Sequence, residues 1–400
     1  YQSNIQSQSG IIPGAERMDV YVPLLKGKKV ALLANQTSLV GNTHLLDTLL
    51  KRGVNVMKVF GPEHGFRGSA DAGEKINSSI DKATGVKVIS LYGDYKQPTT
   101  EDLQDVDILI FDIQDVGVRF YTYISTLEYF MEAALQNAKP LVILDRPNPL
   151  GYYVDGPVLD KKFKSFVGMQ SIPIVYGLTI GEYAMMIAGE RWLSEKANEK
   201  FDYYRHAKNS ADTPFHLLVI RCTNYDHTSK YVLPVKPSPN LPEIQSIYWY
   251  PSTCLFEGTV LSEGRGTEKP FQIFGHPSLP KTLYSFTPVS REGATAPKLK
   301  DATCYGWNVS GTPEDVLKKT DHKLQLQYLL DAYKQFPDKD KFFLPNNTFN
   351  RLAGNDVLQQ QIIADKNQNE VRQSWEPALS NYKSIRKKYL LYKDFEQLSP

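Results

Sequence analysis

From Lys28 onward the chain alternates short apolar runs with amphipathic stretches, and that alternation leaves few folds open to it. "KKVALLA", "VNVMKVFG", "VKVISLYG", "DILIFDIQ" and "KPLVILDRPNP" are the apolar runs. Between the first two lies "NTHLLDTLLKRG", with leucines at helical spacing and Gly53 as a stop, and between the last two lies the helix-like "YISTLEYFMEAALQNA". Strands that read as unbroken apolar runs are buried on both faces, which is the signature of a parallel sheet covered by helices. With right-handed crossovers the result is α/β, a doubly wound, Rossmann-like layer.

The pattern loosens beyond Gly151. "GLTIGEYAMMIAGERWL" predicts a helix and "FHLLVIRC" a further strand. "LPVKPSPNLPEI", with Pro234, Pro237, Pro239 and Pro242, resists both helix and ladder and marks a crossover. After it come strands expected around "TCLFEGTVLSEGRG" and helices near "EDVLKKTDHKLQLQYLLDAYKQF" and "WEPALSNYKSIRKKYLLY". The predicted organisation is a disordered or linker N-terminus over 1–20, a Rossmann-like catalytic domain over 21–240, and a smaller α+β C-terminal domain over 241–400 that closes a cleft. A length of 400 residues suffices for two such cores.

Several function classes fall away. Forty-six basic against 44 acidic side chains give a net charge of +2, so there is no basic field for nucleic acid. "ANQTSLVGN" follows the first strand where a dinucleotide site needs G-x-G-x-x-G, and no G-x-x-x-x-G-K-[ST] loop occurs. No apolar run reaches 18 residues, so no membrane span is expected. Cys222, Cys254 and Cys304 form neither a disulfide framework nor a metal-ligand spacing, and the seven histidines show no zinc motif. No cofactor is expected. The polar, uncharged start "YQSNIQSQSG" has the character of a linker left after signal removal, which favours export. Twenty-four tyrosines suit a carbohydrate-handling protein, since a phenol stacks on a sugar face and hydrogen-bonds at its rim; a Tyr-rich core is the plainer alternative.

In open α/β sheets ligands bind outside the carboxyl ends of the strands. Polar residues gather at four of those ends: Asn35, Gln36 and Thr37; Glu63, His64 and Arg67; Asp112, Gln114, Asp115 and Arg119; Asp145, Arg146 and Asn148. Carboxylates dominate, with Glu257 and Glu263 added from "FEGTVLSEGRGTEKPFQ", and no Ser sits in a G-x-S-x-G elbow. A carboxyl-rich cleft suits glycoside hydrolysis, in which one acid protonates the leaving oxygen and a second group serves the anomeric centre or the attacking water. Within "VFGPEHGFRG", Pro62 and the glycines hold Glu63 in a tight turn at a strand tip, where aromatic and apolar neighbours favour a general acid. An ion pair with Arg67 that braces the loop is the structural alternative. His64 is placed to hydrogen-bond the acid or a sugar hydroxyl, or is a satisfied loop histidine. Arg265 is suited to an anionic substrate group, or belongs to a hairpin turn with a solvated charge run.

At these motifs the chain resembles the exo-acting β-N-acetylmuramidases of bacterial peptidoglycan recycling, formerly a family of unknown function. The segments that carry the resemblance are "FGPEHGFRG", "FDIQDVGVRFYTYISTL", "ILDRPNPLG", "GPVLD", "IPIVYGLTIGEYA", "PSPNLP", "EGTVLSEGRGTEKPFQIFGHP" and "WEPALSNYKSIRKKYLLY", in order over nearly the whole chain. One departure is Tyr152, where the pattern has a second Gly after "NPLG". The resemblance implies release of β-1,4-linked N-acetylmuramic acid (MurNAc) from the non-reducing end of peptidoglycan-derived disaccharides or muropeptides, with Glu63 at the catalytic position. It further implies an exported protein, periplasmic or outer-membrane-attached. The lactyl carboxylate of MurNAc calls for a cation, for which Arg119, Arg265 and Arg67 are candidates. Gln114, Asn35, Asn240 and His64 are available for hydroxyls or the acetamido group. Glu263 and Asp115 are alternative second carboxylates, and attack by the 2-acetamido group itself is a third possibility. A non-catalytic cell-wall glycan-binding protein on the same scaffold is the competing function.

Overall fold

The computed structural model describes residues 10–66, 79–206 and 217–398. Six parallel strands form its centre: β1 (Lys29–Ala34), β2 (Asn55–Gly61), β3 (Lys87–Ser90), β4 (Ile108–Asp112), β5 (Leu141–Leu144) and β6 (Leu217–Ile220). Their spatial order is β3-β2-β1-β4-β5-β6, with Ser79–Ile80 pairing antiparallel on the β3 edge. The order reverses between β1 and β4, so a crevice opens there at the carboxyl ends. All six apolar runs in the sequence take the strand role expected of them.

Alternation along each strand divides its side chains between two cores. In β1, Ala31 and Leu33 join one cluster, while Val30, Leu32 and Ala34 join the other. The first face is covered by α2 (Tyr123–Gln136) and α3 (Ile180–Gly189), the second by α1 (Leu45–Lys51). Helix α3 starts at a reciprocal capping box between Thr179 and Glu182, and α4 (Glu195–His206) leads toward β6.

The N-terminus departs from expectation. Residues 1–9 lie outside the described residues, but 10–20 are built into the fold instead of forming a linker. Ile12 exchanges backbone hydrogen bonds with Thr223 at 3.0 and 2.8 Å, and Ala15, Met18 and Tyr21 are buried. Gly14 allows this: a Cβ there would lie 2.2 Å from the Ile220 carbonyl oxygen. A polar start hides an anchor made of one glycine and a few apolar residues.

After the crossover, α5 (Ile244–Thr253) leads into a smaller antiparallel sheet of β7 (Ile273–His276), β8 (Tyr284–Phe286) and β9 (Cys304–Asn308), in the order β7-β9-β8. The strands expected around "TCLFEGTVLSEGRG" are not formed; Cys254–Gly258 is a 3-10 turn. Its carbonyls find a different partner, because the Lys298 ammonium donates to Phe256, Thr259 and Leu261 oxygens at 3.2, 2.9 and 2.7 Å. The long C-terminal helix α6 (Gln368–Lys387) returns to the first unit. There the Tyr382 hydroxyl donates to the Tyr176 carbonyl at 2.6 Å, and Arg386 donates to Gly177 O at 2.8 Å and to both oxygens of Asp394. One apolar core therefore runs from Ala31 to Tyr382, and the later region shares it. Among the described residues no helix is long and apolar enough to cross a membrane.

Candidate active site

A cavity of about 640 Å³ lies between the carboxyl edge of the sheet and the later region. One wall comes from the tip of β2 (Glu63, His64) and the β4–α2 junction (Phe120 to Tyr123). The crossover supplies Ser238 and Asn240, α5 supplies Tyr250, and the opposite wall holds Glu257, Glu263, Arg265, Phe271 and the loop Gly293 to Lys298.

The backbone of the Glu63 turn is forced by its sequence. Gly65 N donates to Pro62 O at 2.9 Å, closing a four-residue turn with Glu63 and His64 at its centre. His64 takes a φ of 67° and Gly65 one of 75°. A left-handed His is uncommon, and such positions cluster at functional sites. Gly61 is required because a Cβ there would lie 2.9 Å from Phe66 N. Phe66, buried and edge-on to His44 at 4.8 Å, anchors the far end.

Glu63 is held by two hydroxyls, one from the N-cap of α2 and one from just past β3. Thr122 Oγ1 donates to Glu63 Oε2 at 2.8 Å. Tyr92, just past β3, hydrogen-bonds the same carboxylate; burial first, then that charge and bond, push the phenol up to about 12. Across the cavity Arg265 bridges two carboxylates, reaching Glu257 at 2.6 Å and Glu263 at 3.5 Å, with its face 5.4 Å from the Phe271 ring. Burial opposes its charge, but those two carboxylates outweigh burial and hold the guanidinium above its ordinary range. Glu263 also pairs with Lys298 at 3.1 Å. Asn240 lines the cavity and donates from Nδ2 to Gly293 O at 2.8 Å, tying the crossover to that loop.

The structure thus brings Glu63, His64, Asn240, Glu263 and Arg265 to one cavity and sets four other candidates behind its walls. Arg119 is fully buried and gives its guanidinium to the carbonyls of Pro157, Ile172 and Leu352 at 2.8, 2.9 and 2.7 Å, so it is a brace and not a carboxylate receptor. Gln114 spends its amide on Asp115 O and Pro147 O at 2.8 and 2.7 Å. Asp115 accepts from Gly117 N at 2.8 Å and from the Tyr176 hydroxyl, and burial lifts its carboxyl to about 6. It does not line the cavity. Asn35, fully buried, caps its own turn through Thr37. Arg67 lies outside the described residues. Asp112 and Arg146, at 2.5 and 2.9 Å, form a buried ion pair that closes the β4 and β5 ends. Among the described residues no cluster of His, Cys, Asp and Glu is arranged to hold a metal ion.

Thr122, Tyr92, Tyr121, Tyr123 and Lys298 line or border the cavity, and their sequence context does not mark them as site residues. Thr122 and Tyr123 stand in "RFYTYISTL", which reads as a helix start, whereas "GATAPK" carries no recognisable signal.

A doubly wound layer with carboxylates on opposing walls of a cavity fits a hydrolase of the glycosidase class. The family model described as Exo-beta-N-acetylmuramidase NamZ, N-terminal, matches residues 30–245, and its C-terminal counterpart matches residues 248–392. The chain belongs to the exo-β-N-acetylmuramidase family. The peptidoglycan beta-N-acetylmuramidase NamZ of Bacillus subtilis (strain 168) is 39% identical over 395 residues, covering 93% of this chain and 89% of that protein. Two crystal structures of DUF1343 family proteins from Bacteroides fragilis NCTC 9343 share the fold. One, at 1.30 Å resolution, has a TM-score of 0.85 and 44% identity over 96% of this chain and 100% of that one. The other, at 1.65 Å, has a TM-score of 0.73 and 27% identity over 96% and 99%.

Proposed function

We propose that the protein hydrolyses the β-1,4 bond of a non-reducing terminal MurNAc in peptidoglycan fragments, with Glu63 as general acid. The observation that carries this is the setting of Glu63: a strained turn presents it to the cavity, two hydroxyls fix it, and ion-paired carboxylates face it. Family membership and the activity named for the Bacillus subtilis relative support the substrate class.

In the reaction the Glu63 carboxyl gives its proton to the glycosidic oxygen as the bond from the anomeric carbon to that oxygen breaks. Water supplies the hydroxyl that ends on MurNAc and the proton that restores Glu63. Glu263, which lines the cavity, is the second carboxylate in preference to Asp115. Its pairing with Arg265 and Lys298 at the cavity wall suits a base or charge stabiliser. Arg265, which lines the cavity, is the receptor for the lactyl carboxylate, and Lys298 braces that wall through its carbonyl partners. An exported location, periplasmic or at the outer membrane, and a role in cell-wall recycling go with such a substrate.

The test is release of 4-nitrophenol from its β-MurNAc glycoside by wild type and Glu63→Gln, with the β-GlcNAc glycoside as control. Turnover confined to the MurNAc compound and lost in the variant is expected. Binding of MurNAc without cleavage by wild type would instead show a glycan-binding protein.

A further inference from the structure

Two buried polar groups beside Glu63 are unused by the chemistry above. Asn35 Nδ2 and the Tyr121 hydroxyl approach the Tyr123 oxygen from the donor side, but among the described residues neither Asn35 Nδ2 nor the Tyr123 hydroxyl makes a hydrogen bond of ordinary length, and the Tyr123 proton has no acceptor. Tyr123 is 2% exposed and lines the cavity, and Asn35 lies behind it at 0%. A buried hydroxyl left without a partner costs stability, and native proteins pair nearly all such groups. An orphan that borders a cavity is matched when a ligand fills the cavity.

The orientation of Asn35 is determined by its neighbour. Its Oδ1 accepts from Thr37 N at 2.9 Å and from Thr37 Oγ1 at 2.6 Å, so the NH2 is the end turned toward Tyr123. A donor behind the phenol oxygen leaves the phenol proton to point forward. Tyr121, whose ring meets Tyr123 edge-on at 4.9 Å, gives its own proton to Pro237 O at 3.0 Å. Burial, and after it the nearby Glu63 charge, keep Tyr123 protonated. The group presented to the cavity is therefore a neutral O–H donor.

The acceptor it takes follows from its surroundings. Asp115 makes the potential at Tyr123 negative and Glu63, protonated or ionised, adds no positive charge there, which disfavours an anionic acceptor; the lactyl carboxylate belongs on the Arg265 wall. A neutral carbonyl suits the position. Tyr121 and Tyr250, edge-on to each other with ring centroids 5.9 Å apart, line the same cavity and contribute apolar surface to it. A neutral carbonyl carrying a methyl is an acetamido group. We infer that Tyr123, oriented by Asn35, binds the 2-acetamido carbonyl of the substrate and makes the site selective for N-acetylated sugars. Tyr123 touches substrate, and Asn35 is a positioning residue that acts through it. The inference rests on the glycosidase reading of the same cavity.

The experiment compares kcat/KM for two chromogenic glycosides, β-MurNAc and the same 3-O-lactyl sugar with a hydroxyl at C2, using wild type, Tyr123→Phe and Asn35→Ala. Tyr123→Phe keeps the ring and removes only the unpartnered hydroxyl, so its Tm is expected not to fall. Its kcat/KM for β-MurNAc should drop about five- to tenfold while the C2-hydroxyl compound changes less than twofold, so that discrimination collapses. Asn35→Ala should move the ratio the same way. An equal fall on both glycosides, or no fall on either, overturns the assignment. If wild type binds but does not cleave, the same ratio is read from calorimetric affinities for the two free sugars, and its loss in Tyr123→Phe still decides the point.

Discussion

Thr122 occupies the N-cap of α2, yet its side chain makes no cap hydrogen bond; its hydroxyl donates to Glu63 at 2.8 Å. A capping hydroxyl is ordinarily worth about 1 kcal/mol to a helix. Here that contribution is given up to fix the Glu63 carboxyl group at the mouth of the helix.

Removing that bond should therefore affect the chemical step more than folding. Thr122→Val is expected to lower kcat on the β-MurNAc glycoside about tenfold, the worth of one charge-assisted hydrogen bond, with little change in KM. Glu63→Gln is expected to lose about 10²- to 10⁴-fold. Steady-state kinetics on the two variants give the comparison, and an unchanged kcat in Thr122→Val would show that the contact does not serve catalysis.

Arg265 stands between Glu257 and Glu263, and Lys298 completes the cationic side of the wall. If this wall receives the lactyl carboxylate, Arg265→Gln should erase about 10- to 100-fold of the preference for MurNAc over GlcNAc glycosides. The readout is the ratio of kcat/KM values. A variant that slows both glycosides alike would place the lactyl group elsewhere.

Arg119 calls for the opposite experiment. Its three carbonyl partners come from segments around Pro157, Ile172 and Leu352, so the side chain fastens the β4 loop to the later region. Arg119→Met orphans all three, and a loss of about 3 kcal/mol is expected from urea unfolding. KM for the β-MurNAc glycoside should stay within twofold in the folded variant.

These residues also show where sequence reading works. The six parallel strands are legible because burial on both faces leaves nearly unbroken apolar runs, with Lys58 in β2 reaching out to Asp102 O and Asp105. Glu63 was legible because Gly61 and Gly65 leave a turn little choice of conformation. Arg119 was not: a guanidinium in a loop looks like a ligand, and its Leu352 carbonyl partner is 233 residues away. Thr122 and Tyr123 were hidden because a helix start needs no second explanation. Around Leu255 and Leu261 the sequence predicts strands that do not form, because apolar spacing says where a segment is buried, while its carbonyls are bonded by Lys298.

Asp115 tests the division between cavity and wall. Burial lifts its carboxyl to about 6, against the pull of its bonds to Tyr176, Gly117 and Val116. An unfolded aspartate titrates near about 3.9. Between those values the folded state keeps a proton that the unfolded state has released, so this group's contribution is fully present below about pH 4 and is lost as pH rises through about 6. Asp145, lifted to about 6, and Glu128, lifted to about 7, add slopes of the same sign. Asp115→Asn cannot lose a proton, so its stability relative to wild type should grow from pH 4 to 6 and level off above, as urea midpoints across that range will show. Because Asp115 does not line the cavity, the variant should keep turnover within about threefold, whereas Glu263→Gln should lose at least about 10²-fold. The reverse pattern would make Asp115 the second carboxylate and leave Glu263 as a partner of Arg265 and Lys298.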